Sequence, residues 1–326
     1  MDRCGPGCRL ARSVFRVGLA LKPSDTLPVM IGRQEEKNNR RRYFGVIILA
    51  AMSIATQAFG TDAAKNRSDG CGSAPPVGPL STTDVGDESR KFITSIPSSY
   101  DPASAHRLIF AFHGRTTPNG QVQRYFQIEQ SSTSPTIFVY PAGLMGEDGK
   151  YSWYEPGQSG DSLRDYEFFD ALLKLFSSSY CLDLDQVFVV GHSLGGSFAN
   201  SLGCSRGSVI RGVGSVAGRI WDAECSGPTA TMILHNPHDD LVPLSRGLHA
   251  RDQALDQNGL EPPARSCPPQ ALNCECYGPS DAANPVVWCP HTEDTNHHGE
   301  FYPHLWPKEA GQAIMEFFDA LPALPQ

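Results

Sequence analysis

The 326 residues are enough for one large domain or two small ones, and 40% apolar content is adequate for a buried core. The formal charge of −8 is unevenly spread: residues 1–60 hold 10 of the 27 Lys/Arg and 4 of the 35 Asp/Glu, which leaves 17 basic and 31 acidic side chains beyond them. So acidic a remainder argues against nucleic-acid binding and against anionic polymers as substrates.

Near the start, Arg40-Arg41-Arg42 precedes a mostly apolar run over residues 43–55, and Thr56-Gln57-Ala58-Phe59-Gly60 follows. A basic stretch, an apolar stretch and a small-residue site in that order read as a cleaved export signal, with cleavage after Ala58 or Gly60. The apolar run is shorter than the roughly 20 residues of a membrane-spanning helix. Stable membrane association is therefore not expected. Met30 would begin a signal of ordinary length. Eight cysteines follow the signal (Cys71, Cys181, Cys204, Cys225, Cys267, Cys274, Cys276 and Cys289), and an even number in an exported chain suggests disulfides. Spacing does not choose among the pairings. Neither a second Cys pair nor a His pair at zinc spacing accompanies Cys274-Glu275-Cys276, so no metal or other cofactor is expected.

In chain order, residues 1–60 read as an N-terminal extension with its signal. Residues 61–90, rich in Gly, Pro, Ser and Asp, read as an irregular leader tied at Cys71. Residues 91–326 read as one catalytic domain. Apolar runs predict strands over 92–96, 107–112, 136–140, 186–190, 209–216, 229–234 and 285–289. A helix is predicted over 163–177, capped by Asp161 or Ser162, with Tyr166, Phe169, Leu172, Leu173 and Phe176 inward. Further helices are predicted at 197–202, at 244–255 and from Pro307 onward. Residues 262–284 read as a Pro- and Cys-rich excursion. Apolar strands alternating with amphipathic helices imply an α/β fold, a mostly parallel sheet covered on both faces.

The chemistry centres on Val187-Phe188-Val189-Val190-Gly191-His192-Ser193-Leu194-Gly195-Gly196. A strand feeding Gly-x-Ser-x-Gly and then a helix is a nucleophile elbow, with the Ser193 hydroxyl pushed out beyond the sheet edge. A serine needs a base, and the base an orienting carboxylate. In this fold they follow in the order Ser, acid, His. The strand ending at His235 leads into Asn236-Pro237-His238-Asp239-Asp240, so the acid is Asp239 or Asp240. The base lies among His291, His297, His298 and His304, with His298 and His304 evenly placed. For the oxyanion, the Leu194 amide comes with the helix N-terminus. A second donor is expected from the loop His113-Gly114-Arg115-Thr116, through the Arg115 or Thr116 amide. Trp153, Tyr154, Trp221 and Trp306 are candidates to line an acyl or sugar pocket.

Several stretches resemble the secreted feruloyl esterase and polyhydroxybutyrate depolymerase family of α/β-hydrolases. They are Gly70-Cys71-Gly72, residues 98–102, Phe112-His113-Gly114, residues 180–183, the elbow, residues 235–243, Val286-Val287-Trp288-Cys289 and His304-Leu305-Trp306-Pro307. The resemblance implies the α/β-hydrolase fold, Asp239 as the acid and His304 as the base. It departs at Asn236, where Gly is usual, and at Tyr302-Pro303, where Gly-Gly is common. The Cys-Ser and His-Cys pairs of the tannase-type branch are missing. Its implied activity is hydrolysis of a polymer-linked ester, with feruloyl esters of plant cell-wall polysaccharide foremost. Polyhydroxybutyrate and acetylxylan are the alternative substrates, and a catalytically silent binding fold is the alternative of another class.

Overall fold

A computed structural model of the chain describes residues 66–154, 163–221 and 224–324. The signal read in residues 40–60 and the helix cap read at Asp161 or Ser162 lie outside them. Along the chain run β1 (Thr82–Val85), β2 (Glu88–Ser95), β3 (His106–Phe112), α1 (Asn119–Phe126), β4 (Thr136–Pro141), β5 (Leu144–Met145) and β6 (Tyr151–Ser152). Next come α2 (Arg164–Ser179), β7 (Leu182–His192), α3 (Leu194–Ser205), β8 (Gly212–Val216), β9 (Ala230–Leu234) and α4 (Leu244–Asn258). The order closes with β10 (Arg265–Ser266), β11 (Glu275–Tyr277), β12 (Val286–Cys289) and α5 (Ala310–Asp319).

One sheet takes the order β1-β2-β4-β3-β7-β8-β9-β12-β11-β10. Its six central strands, β4 to β12, are parallel, and the pairs at each flank are antiparallel. The strand period of two sorts the apolar run of β3 onto two cores. Leu108, Phe110 and Phe112 pack with α2 and α3 through Phe169, Phe176 and Phe198. Ile109 and Ala111 pack on the opposite face with Phe126 of α1 and Ile314 and Phe318 of α5. Likewise, Val187 and Val189 of β7 join the first core, and Phe188 and Val190 join the second. Both faces being buried is why these strands read as unbroken apolar runs. Each of the Val, Leu, Ile and Phe side chains among them contributes about 1.5–3 kcal/mol on full burial. This is the α/β-hydrolase architecture.

Three differences from the sequence reading have simple causes. The stretch read as an irregular leader, residues 61–90, holds β1, which pairs with β2 from Thr82 opposite Lys91 to Val85 opposite Glu88. Short polar edge strands carry no apolar run to announce them. Arg90, at the end of that stretch, is buried in an ion pair with Asp165 of α2 at 2.7 Å. Second, β8 begins at Gly212 rather than Val209, because the amides of Val209 and Ile210 turn back to the Arg206 carbonyl. Third, Pro307 does not open α5; its carbonyl closes a turn to the Ala310 amide.

The eight cysteines pair as Cys71–Cys181, Cys204–Cys225, Cys267–Cys276 and Cys274–Cys289. Cys71–Cys181 spans 110 residues and ties the chain's entry to the start of β7. On the chain-entropy account a closure of that length is worth about 4–5 kcal/mol. Cys267–Cys276 closes a loop within the 262–284 excursion, which carries β10 and β11, and Cys274–Cys289 fastens that excursion to β12. Among the described residues no helix is long and apolar enough to cross a membrane.

Candidate active site

Four loops meet at the carboxyl ends of parallel strands, where ligands bind in open α/β sheets. They follow β3, β7, β9 and β12. Ser193 is the single residue between β7 and α3, at φ 57° and ψ −121°. A non-glycine residue there is strained by about 1–3 kcal/mol, so its surroundings must hold it. They do so in part through the Ser193 amide, which donates to the Val216 carbonyl of β8 at 2.9 Å. The flanking glycines leave no alternative: a Cβ on Gly191 would stand 2.1 Å from the Gly195 oxygen, and one on Gly195 2.2 Å from the Phe112 oxygen.

His304 bridges Ser193 and Asp239. Its Nε2 lies 2.7 Å from Ser193 Oγ, and its Nδ1 lies 2.6 Å from Asp239 Oδ2. The other Asp239 oxygen accepts the Leu241 and Val242 amides at 2.9 and 3.0 Å. A buried carboxylate can act only as acceptor, so Nδ1 carries the proton and Nε2 presents a lone pair to Ser193. Burial pushes the Asp239 carboxyl up, but the hydrogen bonds from His304 and the Val242 amide, with the nearby histidines, outweigh it and hold the carboxyl below its ordinary value.

The other candidates fall elsewhere. Asp240 is exposed, whereas Asp239 is buried. His298 is exposed in a turn: its amide bonds Asn296 Oδ1, and its ring meets His297 at 3.8 Å. The freedom of Gly299 presents this histidine to solvent, not to Ser193. His297 is exposed too, and His291 is fully buried. Of the expected aromatic lining, Trp153, Trp221 and Trp306 are core residues, with Trp306 stacked on Phe126 at 3.8 Å. Tyr154 lies against the Arg164 guanidinium. Their indole area is what places the tryptophans inside.

Leu194 opens α3, where the first amides have no intrahelical acceptor. The loop expected to give the second oxyanion donor passes close by: a Cβ on Gly114 would lie 3.3 Å from Ser193 Cβ. Beyond Gly114, Arg115 and Thr116 are exposed, and the Arg115 side chain pairs with Asp148.

The groups that brace these loops carry no motif in the sequence. His113 is fully buried, and its Nε2 accepts the Gly143 amide at 2.9 Å. That leaves Nδ1 to donate to the Gly114 carbonyl at 2.7 Å. Burial drives the His113 pKa down to about 4, consistent with a neutral ring. Trp153 Nε1 donates to the His113 carbonyl at 2.8 Å. Beneath Asp239, buried His235 uses Nε2 to donate to the Val242 carbonyl at 2.7 Å, which closes the Asp239 loop. The one available signal was that both histidines directly follow apolar strand runs. Among the described residues no cluster of His, Cys, Asp and Glu could hold a metal ion.

The family model described as "Putative esterase" matches residues 84–239. Feruloyl esterase D of Neurospora crassa is 30% identical over 255 residues, 72% of this chain and 84% of that protein. The chain belongs to the feruloyl esterase-type family. Feruloyl esterase C of Emericella nidulans is 29% identical over 205 residues, 60% of this chain and 70% of that protein. Among solved structures, the esterase is similar to an acetyl xylan esterase from Aspergillus awamori, with TM-score 0.57 at 16% identity over 74% of this chain and 99% of that one. A CE1 ferulic acid esterase from Anaeromyces mucronatus matches at TM-score 0.50 and 13% identity over 79% of this chain and 96% of that one. At such identities these likenesses bear on the fold alone. By its family the esterase is a serine carboxylic-ester hydrolase, which sets aside the silent binding fold.

Proposed function

We propose that the esterase is exported and hydrolyses feruloyl (hydroxycinnamoyl) esters of plant cell-wall polysaccharide, with Ser193, His304 and Asp239 as its catalytic residues. Ser193 Oγ attacks the ester carbonyl as its proton passes to His304 Nε2. The resulting oxyanion is held by the Leu194 amide and by the Arg115 or Thr116 amide. Such donors are each worth about 3 kcal/mol of transition-state stabilisation. Collapse of the tetrahedral intermediate breaks the ester C–O bond, and the departing alkoxide takes the proton from His304. Water, deprotonated by His304, then attacks the acyl-serine and releases the carboxylic acid. Asp239 stays ionised throughout and keeps the imidazole in one tautomer and orientation.

The observation that carries this reading is the position of His304, within hydrogen-bond reach of both Ser193 Oγ and Asp239 Oδ2. Kinship with Feruloyl esterase D supports the substrate class. Four disulfides support an exported setting. The test is a panel of methyl ferulate, acetylated xylan and polyhydroxybutyrate, run with the wild type and Ser193→Ala. Ferulate release that vanishes in Ser193→Ala is the expected result. Release of acetate or 3-hydroxybutyrate without ferulate would reject the substrate assignment.

A further inference from the structure

Beside the base, the chain folds back on itself over residues 294–302. Thr295 pairs antiparallel with Phe301, the Tyr302 amide donates to the Asp294 carbonyl at 2.7 Å, and the Asn296 amide donates to the Glu300 carbonyl at 2.9 Å. Asn296 Oδ1 also receives the His298 and Glu300 amides. So braced, the hairpin presents Phe301 at 66% exposure and Tyr302 at 42%. The Tyr302 ring stands edge-on to His304, 6.2 Å between centroids. Phe301 faces His238, at 6.5 Å, on the loop that carries the acid. On that same loop Leu241, two residues past Asp239, is 65% exposed.

Single exposed apolar side chains are ordinary on protein surfaces. Three on the two loops that carry Asp239 and His304, two of them on a hairpin held by at least four backbone-donated hydrogen bonds, call for a partner. The chemistry says which part of an ester lies there. His304 Nε2 must return its proton to the leaving oxygen, so that oxygen comes within hydrogen-bond reach of the imidazole. The acyl carbonyl oxygen instead turns toward the Leu194 amide and the Gly114 side of Ser193. Side chains carried by the acid and base loops therefore border the alcohol half of the ester, not the acid half. In a cell-wall ester that half is saccharide: uncharged, with C–H faces that pack against aromatic rings and hydroxyls that stay in water.

We propose that Leu241, Phe301 and Tyr302 form the saccharide-side subsite of the esterase, the surface on which sugar rings of the alcohol portion pack. The proposal rests on the feruloyl-polysaccharide reading above, and its test separates the two. Wild type and variants are compared on methyl ferulate and on a feruloylated xylo-oligosaccharide. The quantity read is the ratio of kcat/KM on the sugar ester to kcat/KM on the methyl ester. Phe301→Ala lowers that ratio about tenfold, mainly through KM on the sugar ester, as expected for loss of an aromatic contact. Leu241→Ala lowers it about threefold. Phe301→Trp, which keeps a ring in place, leaves it within about twofold of wild type. Val209→Ala, exposed just before the amino end of β8 and so away from the carboxyl ends of the strands, leaves it unchanged. A ratio in Phe301→Ala equal to that of the wild type overturns the subsite while leaving the feruloyl reading standing. A wild type that releases no ferulate from the methyl ester overturns the feruloyl reading, and the subsite with it.

Discussion

Replacing Asp239 by Asn changes one atom for another of nearly the same size, and its effect follows from the hydrogen bonds. In the wild type one carboxylate oxygen accepts the Leu241 and Val242 amides, and the other accepts His304 Nδ1–H. An asparagine can satisfy the two amides only with its carbonyl oxygen. Its NH2 group must then face His304 Nδ1, where two donors would oppose each other. The imidazole escapes by moving its proton to Nε2, which removes the lone pair that Ser193 needs. The expected loss is about 10⁴ in kcat, equivalent to about 5.4 kcal/mol of transition-state stabilisation. KM for p-nitrophenyl acetate should stay within about threefold and the thermal midpoint within a few degrees, since the loop keeps both amide bonds. Asp240→Asn, at an exposed site, is the control and should stay within about twofold. A loss below tenfold in Asp239→Asn, or an equal loss in Asp240→Asn, would refute the reasoning.

Two further outcomes are expected. His304→Ala should lose at least a thousandfold in kcat on the same ester, while His298→Ala stays near wild type; equal losses would return the base to the open choice left by spacing. Stability should also fall on mild acidification. Burial holds His113 and His291 to pKa values of about 4, against an ordinary 6.5. Their folded pKa values are depressed, so the unfolded chain binds the extra protons. The associated stability is complete above pH 6.5 and is lost as pH falls toward 4, at up to about 1.4 kcal/mol per pH unit for each histidine. Thermal melts between pH 7 and 4.5 should show the midpoint dropping with pH, and a flat midpoint would contradict neutral buried rings.

Much of this architecture was legible because the central strands are buried on both faces. The runs at 107–112 and 187–190 could be little else, and the glycines at 191 and 195 marked the elbow. The edges were not legible. β1 is four residues of mixed polarity, and β10 and β11 are short pieces held by disulfides whose pairing no spacing reveals. The choice between Asp239 and Asp240 depends on which neighbour turns inward, a matter of loop hydrogen bonds. Likewise, His298 sits in the exposed turn of the 294–302 hairpin while His304 lies buried just beyond it, a difference set by how the chain folds back there. Trp153 looked available for ligand contact, yet it is needed against Phe112 and Phe198 in the core. His113 and His235 passed as ordinary strand-end residues, because bracing a loop from below leaves no pattern in the chain.

The most direct test of the central claim is covalent labelling with a fluorophosphonate, followed by mass spectrometry of the labelled peptide. One stoichiometric adduct on Ser193 is expected, lost in Ser193→Ala and strongly slowed in His304→Ala. An unlabelled wild type, or an adduct on another serine, would contradict it.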